Sequence, residues 1–339
     1  MKESSLGKID IFTHILPLKY AEALYKKARD CFYIEADKAT PILSDLDARF
    51  RIMDRYEGLT QVLTLASPPI EHVVNPNDAV ELAKIANDEM AELVAKYPHR
   101  FVAAVASLPM NNIDAALKEA DRAIRKLNFK GVQIFSSINR KPLDRPEFMG
   151  LYQKMAEYDL PIWIHPTKDR NIPDYPGEKV SKYRLFLHFG WPYETTLAMA
   201  RLVFSGVLER YPTVKFIIHH GGGMVPYFEQ RIGHTPAYDT DIGVKTKYVE
   251  KLSRPPIEYF RKFYADTATM GGITPVLMCA YAFFGSDNLL FGSDMPYGVD
   301  RGEAGLRQVI NSIESMNASQ SDKEKIFSGN AERILHLAK

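Results

Sequence analysis

An excess of charge is missing from this 339-residue sequence: 43 Lys and Arg stand against 42 Asp and Glu, for a net charge of +1. That balance leaves no electrostatic footprint for nucleic acid or for an anionic membrane surface. Long apolar runs are missing too, none approaching the ~20 residues of a spanning helix. The opening MKESSLGK lacks the apolar core of a signal peptide. Cysteine is scarce: Cys31 and Cys279 are far apart in sequence, which suits two reduced thiols in a cytoplasmic protein better than a disulfide. No low-complexity tract, like-charge block or Gly/Ser linker divides the chain, so it reads as a single domain over residues 1–339. No strand-like run leads into a G-x-G-x-x-G turn, which weighs against a doubly wound nucleotide-binding sheet.

What is present is alternation. Eight short runs rich in β-branched and aromatic residues recur: KIDIFTH, LTQVLTLAS, FVAAVAS, GVQIFSS, LPIWIHP, VKFIIHH, KFYADT and LLFGSD. They are near-continuously apolar, as parallel strands buried on both faces must be. Helical patterns lie between them. NPNDAVELAKIANDEMAELVAKYP has an Asn/Asp start and a Pro stop, and NNIDAALKEADRAIRKLN and YETTLAMARLVFSGVLERYP repeat apolar residues at helical spacing. Eight strand–helix units in one chain of this length predict a (β/α)8 TIM barrel. Three connections are long: 15–44 after the first strand, 167–190 after the fifth, and 236–255 beyond the sixth. The first two fall where loops cover a barrel's catalytic mouth.

The polar residues collect at the C-terminal ends of the strands: His14, His165, His219-His220 and Asp294. Each has an ordinary reading on its own, as a core or capping histidine or as a turn-forming aspartate. A barrel brings all these strand ends to one mouth, where imidazole and carboxylate suit Zn²⁺ or a similar divalent ion. The glycines of HHGGG allow close backbone approach and offer amides to an anion, or else simply turn the chain into the next helix. Asp266 and Thr267 end the seventh strand, with Asp266 equally a cap or a catalytic group. His72, His99 and His336 read as structural.

With these motifs in view, the sequence resembles an amidohydrolase-superfamily barrel. The branch is that of aminocarboxymuconate-semialdehyde decarboxylase and the hydroxybenzoate-type decarboxylases. The resemblance runs over nearly the whole chain, through KIDIFTHILP, YPHRFVAAVASLP, IWIHP, the HHGGG…P…R segment, YADTAT, GSDMPY and GNAERILHL. It implies that His14, His165 and Asp294 are metal ligands and that His220 is the active-site histidine. It implies that Arg231 binds a substrate carboxylate across a homodimer interface. His219 falls where the family usually has a small or apolar residue. Strand four, Gly131 to Phe135, has no lysine to bridge two metals, so one divalent ion is implied, Zn²⁺ ahead of Mn²⁺, with no organic cofactor. Two departures stand out. Phe12 replaces the first histidine of the family's H-x-H pair, and residues 30–44 lack the family's substrate arginine, with Lys38 the nearest cation.

Three functions are open on this reading. The first is a metal-dependent, non-oxidative decarboxylase of an aromatic or unsaturated, muconate-like carboxylic acid, with His220 and Asp294 as the catalytic residues. The second is a hydrolase of a lactone, amide or related bond. The third is a ligand-binding barrel without catalysis.

Overall fold

The computed structural model describes residues 7–28, 32–233, 252–268 and 274–337. Eight parallel strands form the centre: β1 (Lys8–Ile15), β2 (Leu59–Leu65), β3 (Phe101–Ala104, continuing as Ala106–Ser107), β4 (Val132–Phe135), β5 (Ile162–His165), β6 (Phe216–Ile218), β7 (Tyr264–Asp266) and β8 (Leu289–Leu290). Neighbours pair in sequence order, with Phe135 opposite His165 and Ala265 opposite Ile218. The ladder passes through the break in β3, where Val105 N donates to Leu63 O at 2.9 Å and Ala106 N to Gly131 O at 3.0 Å. It closes between β8 and β1, where Ile11 N donates to Phe291 O at 2.9 Å and His14 N to Met295 O at 2.7 Å. The eight apolar runs read from the sequence are therefore the eight staves of one closed barrel.

The helices follow the caps written in the sequence. The first connection holds α1 (Leu18–Lys27), α2 (Phe32–Lys38) and, after them, α3 (Leu46–Met53), which leads into β2. This connection is largely helical, where the sequence reading had only a long loop. α4 (Pro76–Lys96) starts at Asn75, whose side chain accepts from the amides of Asn77 and Asp78. α5 (Ile113–Leu127) starts at Asn112 and ends at Asn128 in the left-handed region, φ 58°. α6 (Met149–Tyr158) and α7 (Trp191–Phe204) follow β4 and β5, and α8 (Thr274–Phe284) and α9 (Glu303–Ser315) flank β8. Most of the 236–255 connection lies outside the described residues, as does Cys31; Cys279 is a half-buried thiol on α8. No helix among the described residues is long and apolar enough to cross a membrane.

Two apolar clusters hold these layers. One fills the space between strands and helices; the other lies inside the barrel, with Ile9, Ile11, Phe12, Val62, Val105, Trp163, Ile217 and Leu290 packed over Ala331, Ile334 and Leu335 near the C-terminus. Trp163 donates its Nε1–H to Ile11 O at 3.0 Å, so the largest interior side chain leaves no polar group unmet.

β1 breaks the regular alternation. Its register against β2 slips between Asp10 and Thr13, so that Asp10 faces Gln61 while Thr13 faces Leu63. The extra residue is a β-bulge. It lets Ile9 and Ile11 face the interior below it, and Phe12 and His14 face the interior above it.

Candidate active site

His14, at the end of β1, is fully buried. Its carbonyl accepts from the buried Arg49 guanidinium, and its Nδ1 lies 3.4 Å from Thr64 Oγ1. Its Nε2 has no hydrogen-bond partner, although Asp294 Oδ1 lies 3.0 Å away. His165 ends β5. Its Nδ1 lies 2.7 Å from Pro166 O, so the proton is on Nδ1 and the Nε2 lone pair is left for the cavity. Burial, and then the neighbouring His14, His219 and His220, hold the His165 pKa well below the ordinary range.

Asp294 follows β8 in the left-handed region, φ 65°, with its amide donating to Phe12 O at 3.2 Å. Its Oδ1 lies 3.0 Å from His14 Nε2 and 3.2 Å from His219 Nε2, and its Oδ2 lies 3.6 Å from His220 Nε2. Burial alone would raise its pKa, but the close approach of the His14, His219 and His220 ring nitrogens outweighs it and holds the carboxyl well below the usual range. His220 is buried with φ 58°, and neither ring nitrogen has a hydrogen-bond partner. Its ring lies 6.1 Å from that of Trp191, tilted by 29°.

His219 is the residue that sequence reasoning placed least well. The position expected to be small or apolar holds a fully buried imidazole at the centre of the site. Its Nδ1 contacts Asp266 Oδ2, and its ring stacks on Phe12 at 3.8 Å and 18°. Asp266 is fully buried, and its other oxygen accepts from Ala268 N at 3.1 Å and Gly221 N at 3.4 Å. Burial works against a charge on His219, but Asp266 and then Asp294 offset it and raise its pKa to about 9.

The glycines after His220 serve packing before any ligand. A side chain on Gly223, at φ 63°, would meet Pro192 O of α7 at 2.7 Å. One on Gly222 would meet the Phe284 ring of α8 at 2.7 Å. Two of the amides in this turn are already used: Gly221 N donates to Asp266 and Gly223 N to His220 O at 3.1 Å.

Over these groups lies a cavity of about 440 Å³, with Tyr33, Asp37, Arg184, Trp191 and Tyr297 in its wall and Asp294 at its base. α2 contributes Phe32, Tyr33, Ala36 and Asp37 and the 167–190 connection contributes Arg184 and Leu187, so both long connections do cover the mouth. Lys38 points elsewhere, its ammonium 4.9 Å from the centre of the Tyr25 ring. Arg231 lies on the exposed helical turn 229–233 and does not line this chain's cavity. His72 accepts from Asn139 N at 3.1 Å. Asp37 and Arg184 were not legible as cavity residues: Arg184 is in a loop without a period, and Asp37 is on a two-turn helix too short to show which face turns inward.

Burial raises the Asp37 carboxyl from 3.8 to about 8, with Tyr297 pulling the other way. A carboxyl raised in the folded state contributes stability below its unfolded pKa and loses it as pH rises through the folded value. Asp37→Asn is therefore expected to leave the melting temperature unchanged near pH 4 and to raise it relative to wild type near pH 8. Thermal melts across that range would refute this if the difference between the two proteins did not grow with pH.

A family model described as Amidohydrolase matches residues 9–337. The chain is 30% identical to the 2-amino-3-carboxymuconate-6-semialdehyde decarboxylase of Dictyostelium discoideum, over 97% of this chain and 92% of that one. It is 31% identical to the gamma-resorcylate decarboxylase of a Polaromonas species, over 87% and 89%. Among solved structures it resembles a dihydroxybenzoic acid decarboxylase from Polaromonas, holding manganese and the inhibitor 2-nitroresorcinol, with a TM-score of 0.78, 27% identity and 98% of each chain covered. Matched almost end to end in sequence and in fold, the chain belongs to the amidohydrolase family, on its branch of decarboxylases, the carboxy-lyases of that superfamily.

Proposed function

We propose that this protein is a metal-dependent, non-oxidative decarboxylase of an aromatic or muconate-like carboxylic acid. The observation that carries the reading is the position of Asp294. It lies against three histidines and still opens, at 18% side-chain exposure, onto a cavity walled by aromatic rings. Tyr33, Trp191 and Tyr297 suit a flat unsaturated substrate.

The donor set fits a divalent ion. His14 Nε2 is buried without a hydrogen-bond partner, the proton of His165 is on Nδ1, and Asp294 is ionised 3.0 Å from His14. His14, His165 and Asp294 would hold the ion, which when bound supplies Lewis-acid polarisation of a substrate oxygen. The manganese of the Polaromonas relative supports a divalent ion without choosing between Zn²⁺ and Mn²⁺. The chain's own residues handle the proton. His220, with both ring nitrogens otherwise unpartnered and Asp294 Oδ2 at 3.6 Å, takes a proton from a water at one nitrogen and passes one to Asp294 from the other, the hydroxide left behind combining with the released CO2 as bicarbonate. Asp294 delivers its proton to the substrate carbon that bears the carboxylate. The C–CO2 bond breaks, its electron pair stays with that carbon, and the proton takes the place of CO2. The reaction is redox-neutral, so no oxidant or reductant enters.

Two cations compete to hold a substrate carboxylate: Arg184 in the cavity wall and Arg231 from the partner of a homodimer. On the proposed role, Arg231→Ala raises KM by about 10-fold or more, the loss expected of a charged hydrogen bond. Size exclusion of the variant should still give a dimer. An unchanged KM with Arg231→Ala, together with a raised KM for Arg184→Ala, would move the role to Arg184. The overall reading is tested by assaying CO2 release from dihydroxybenzoates and muconate-like acids beside a panel of lactones and amides. Hydrolysis with no CO2 release would replace it with the hydrolase reading, and binding without turnover would leave only a ligand-binding barrel.

A further inference from the structure

We infer that His219 is the fourth metal ligand of this site, supplying the nitrogen that Phe12 cannot, with Asp266 as the carboxylate that orients it. This rests on the metal-dependent reading above and goes beyond it by naming a ligand outside the H-x-H position. Ligand atoms of His14, His165 and His219 lie within 4.8 Å of one another, and those of His219, His220 and Asp294 do so as well. His219 is the member shared by both groups. Two nitrogens bound to one Zn²⁺ at ~2.0–2.1 Å lie at most ~4 Å apart, so the set is nearly closed as it stands.

The surroundings of His219 are those of a ligating histidine. A metal-bound imidazole typically gives its other N–H to a carboxylate, which fixes its tautomer and plane. Asp266 is in that position at Nδ1, and is itself held by the amides of Gly221 and Ala268. A bound ion would displace the proton from Nε2, which lies 3.2 Å from Asp294 Oδ1, and leave the other proton on Nδ1 toward Asp266. Phe12 supplies the remaining constraint. Its ring stacks on His219 at 3.8 Å and lies 5.5 Å from His14 and 5.9 Å from His165, so it packs against all three imidazoles. Gly292 makes room for this arrangement, since a side chain there would meet Asp266 Cβ at 2.9 Å and Phe12 Cβ at 3.4 Å. The histidine missing from β1 is thus replaced across the barrel from β6, and the residue that displaced it holds the replacement flat.

The test compares purified wild type, His219→Ala, Asp266→Asn and the double variant Phe12→His/His219→Ala. Each is stripped with a chelator and titrated with Co²⁺, reading both bound metal and the visible cobalt spectrum. His219→Ala is expected to shift the spectrum and to weaken binding by more than the ~10–100-fold typical of losing an outer partner. Asp266→Asn is expected to fall within that outer-partner range, and the double variant to recover affinity. If His219→Ala keeps the wild-type affinity and spectrum, the inference is overturned while the metal reading stands. His219 is then an imidazolium bridging two carboxylates. If wild type takes up no Co²⁺, Zn²⁺ or Mn²⁺, the metal reading fails and the inference with it. Should His219→Ala not fold, Asp266→Asn decides, since unchanged affinity there removes the orienting role on which the assignment stands.

Discussion

Replacing Asp294 with Asn is expected to lower kcat for decarboxylation by about 10²–10⁴-fold, the range for loss of a positioned acid–base group. The substitution keeps the shape of the side chain and removes its charge. Three imidazoles converge on this carboxylate, at 3.0, 3.2 and 3.6 Å, and each loses its charged neighbour in the variant. The amide can neither relay a proton from His220 nor serve as an anionic ligand. Turnover should therefore collapse while circular dichroism and the elution volume stay as in wild type, and bound metal should fall in parallel. Wild-type turnover in the Asn variant would remove Asp294 from the chemistry.

Gly223→Ala is expected to cost about 2–4 kcal/mol of stability, from a left-handed backbone at a β-carbon-bearing residue and from overpacking. The obstacle is Pro192 O at 2.7 Å, with Thr196 Oγ1 at 3.0 Å, and both belong to α7. A carbonyl inside a helix cannot swing aside as a side-chain tip can. The turn must move instead, and it carries His219 and His220, so activity should fall together with the denaturation midpoint. Urea unfolding measures the first effect and CO2 release the second. A stability change within about 0.5 kcal/mol, the scatter of ordinary surface substitutions, would show that the turn yields without strain.

Much of the fold was legible in the sequence, because buried parallel strands have no choice but to be apolar on both faces. VKFIIHH and LLFGSD could be placed without any contact information, and Asn75 and Asn112 marked helix starts by the chemistry of their side chains. The convergence of His14, His165, His220 and Asp294 followed from barrel geometry, since strand ends distant in sequence are neighbours at the mouth. His219 was grouped with them but given no role of its own, for a physical reason. The last residue of a strand can face the barrel interior or the helix layer, and two adjacent histidines give no parity signal. Only Phe12 stacked on one side and Asp266 bonded on the other reveal that the first of the pair faces inward. Arg184 was missed because a loop has no period to read, and Asp37 because α2 is only two turns long, too short for a clear apolar period.

The bulge in β1 separates the barrel into two halves with independent phase. Below it, Ile9 and Ile11 keep time with the apolar floor; above it, Phe12 and His14 keep time with the mouth. The floor can thus be repacked, or the mouth re-equipped, without either change dictating which residues of the other half look inward. A one-residue deletion at the bulge would couple the two halves again. His14 would then turn toward the helices while every apolar contact beneath it stayed in place, giving a protein that still folds as a barrel and has lost one wall of its site.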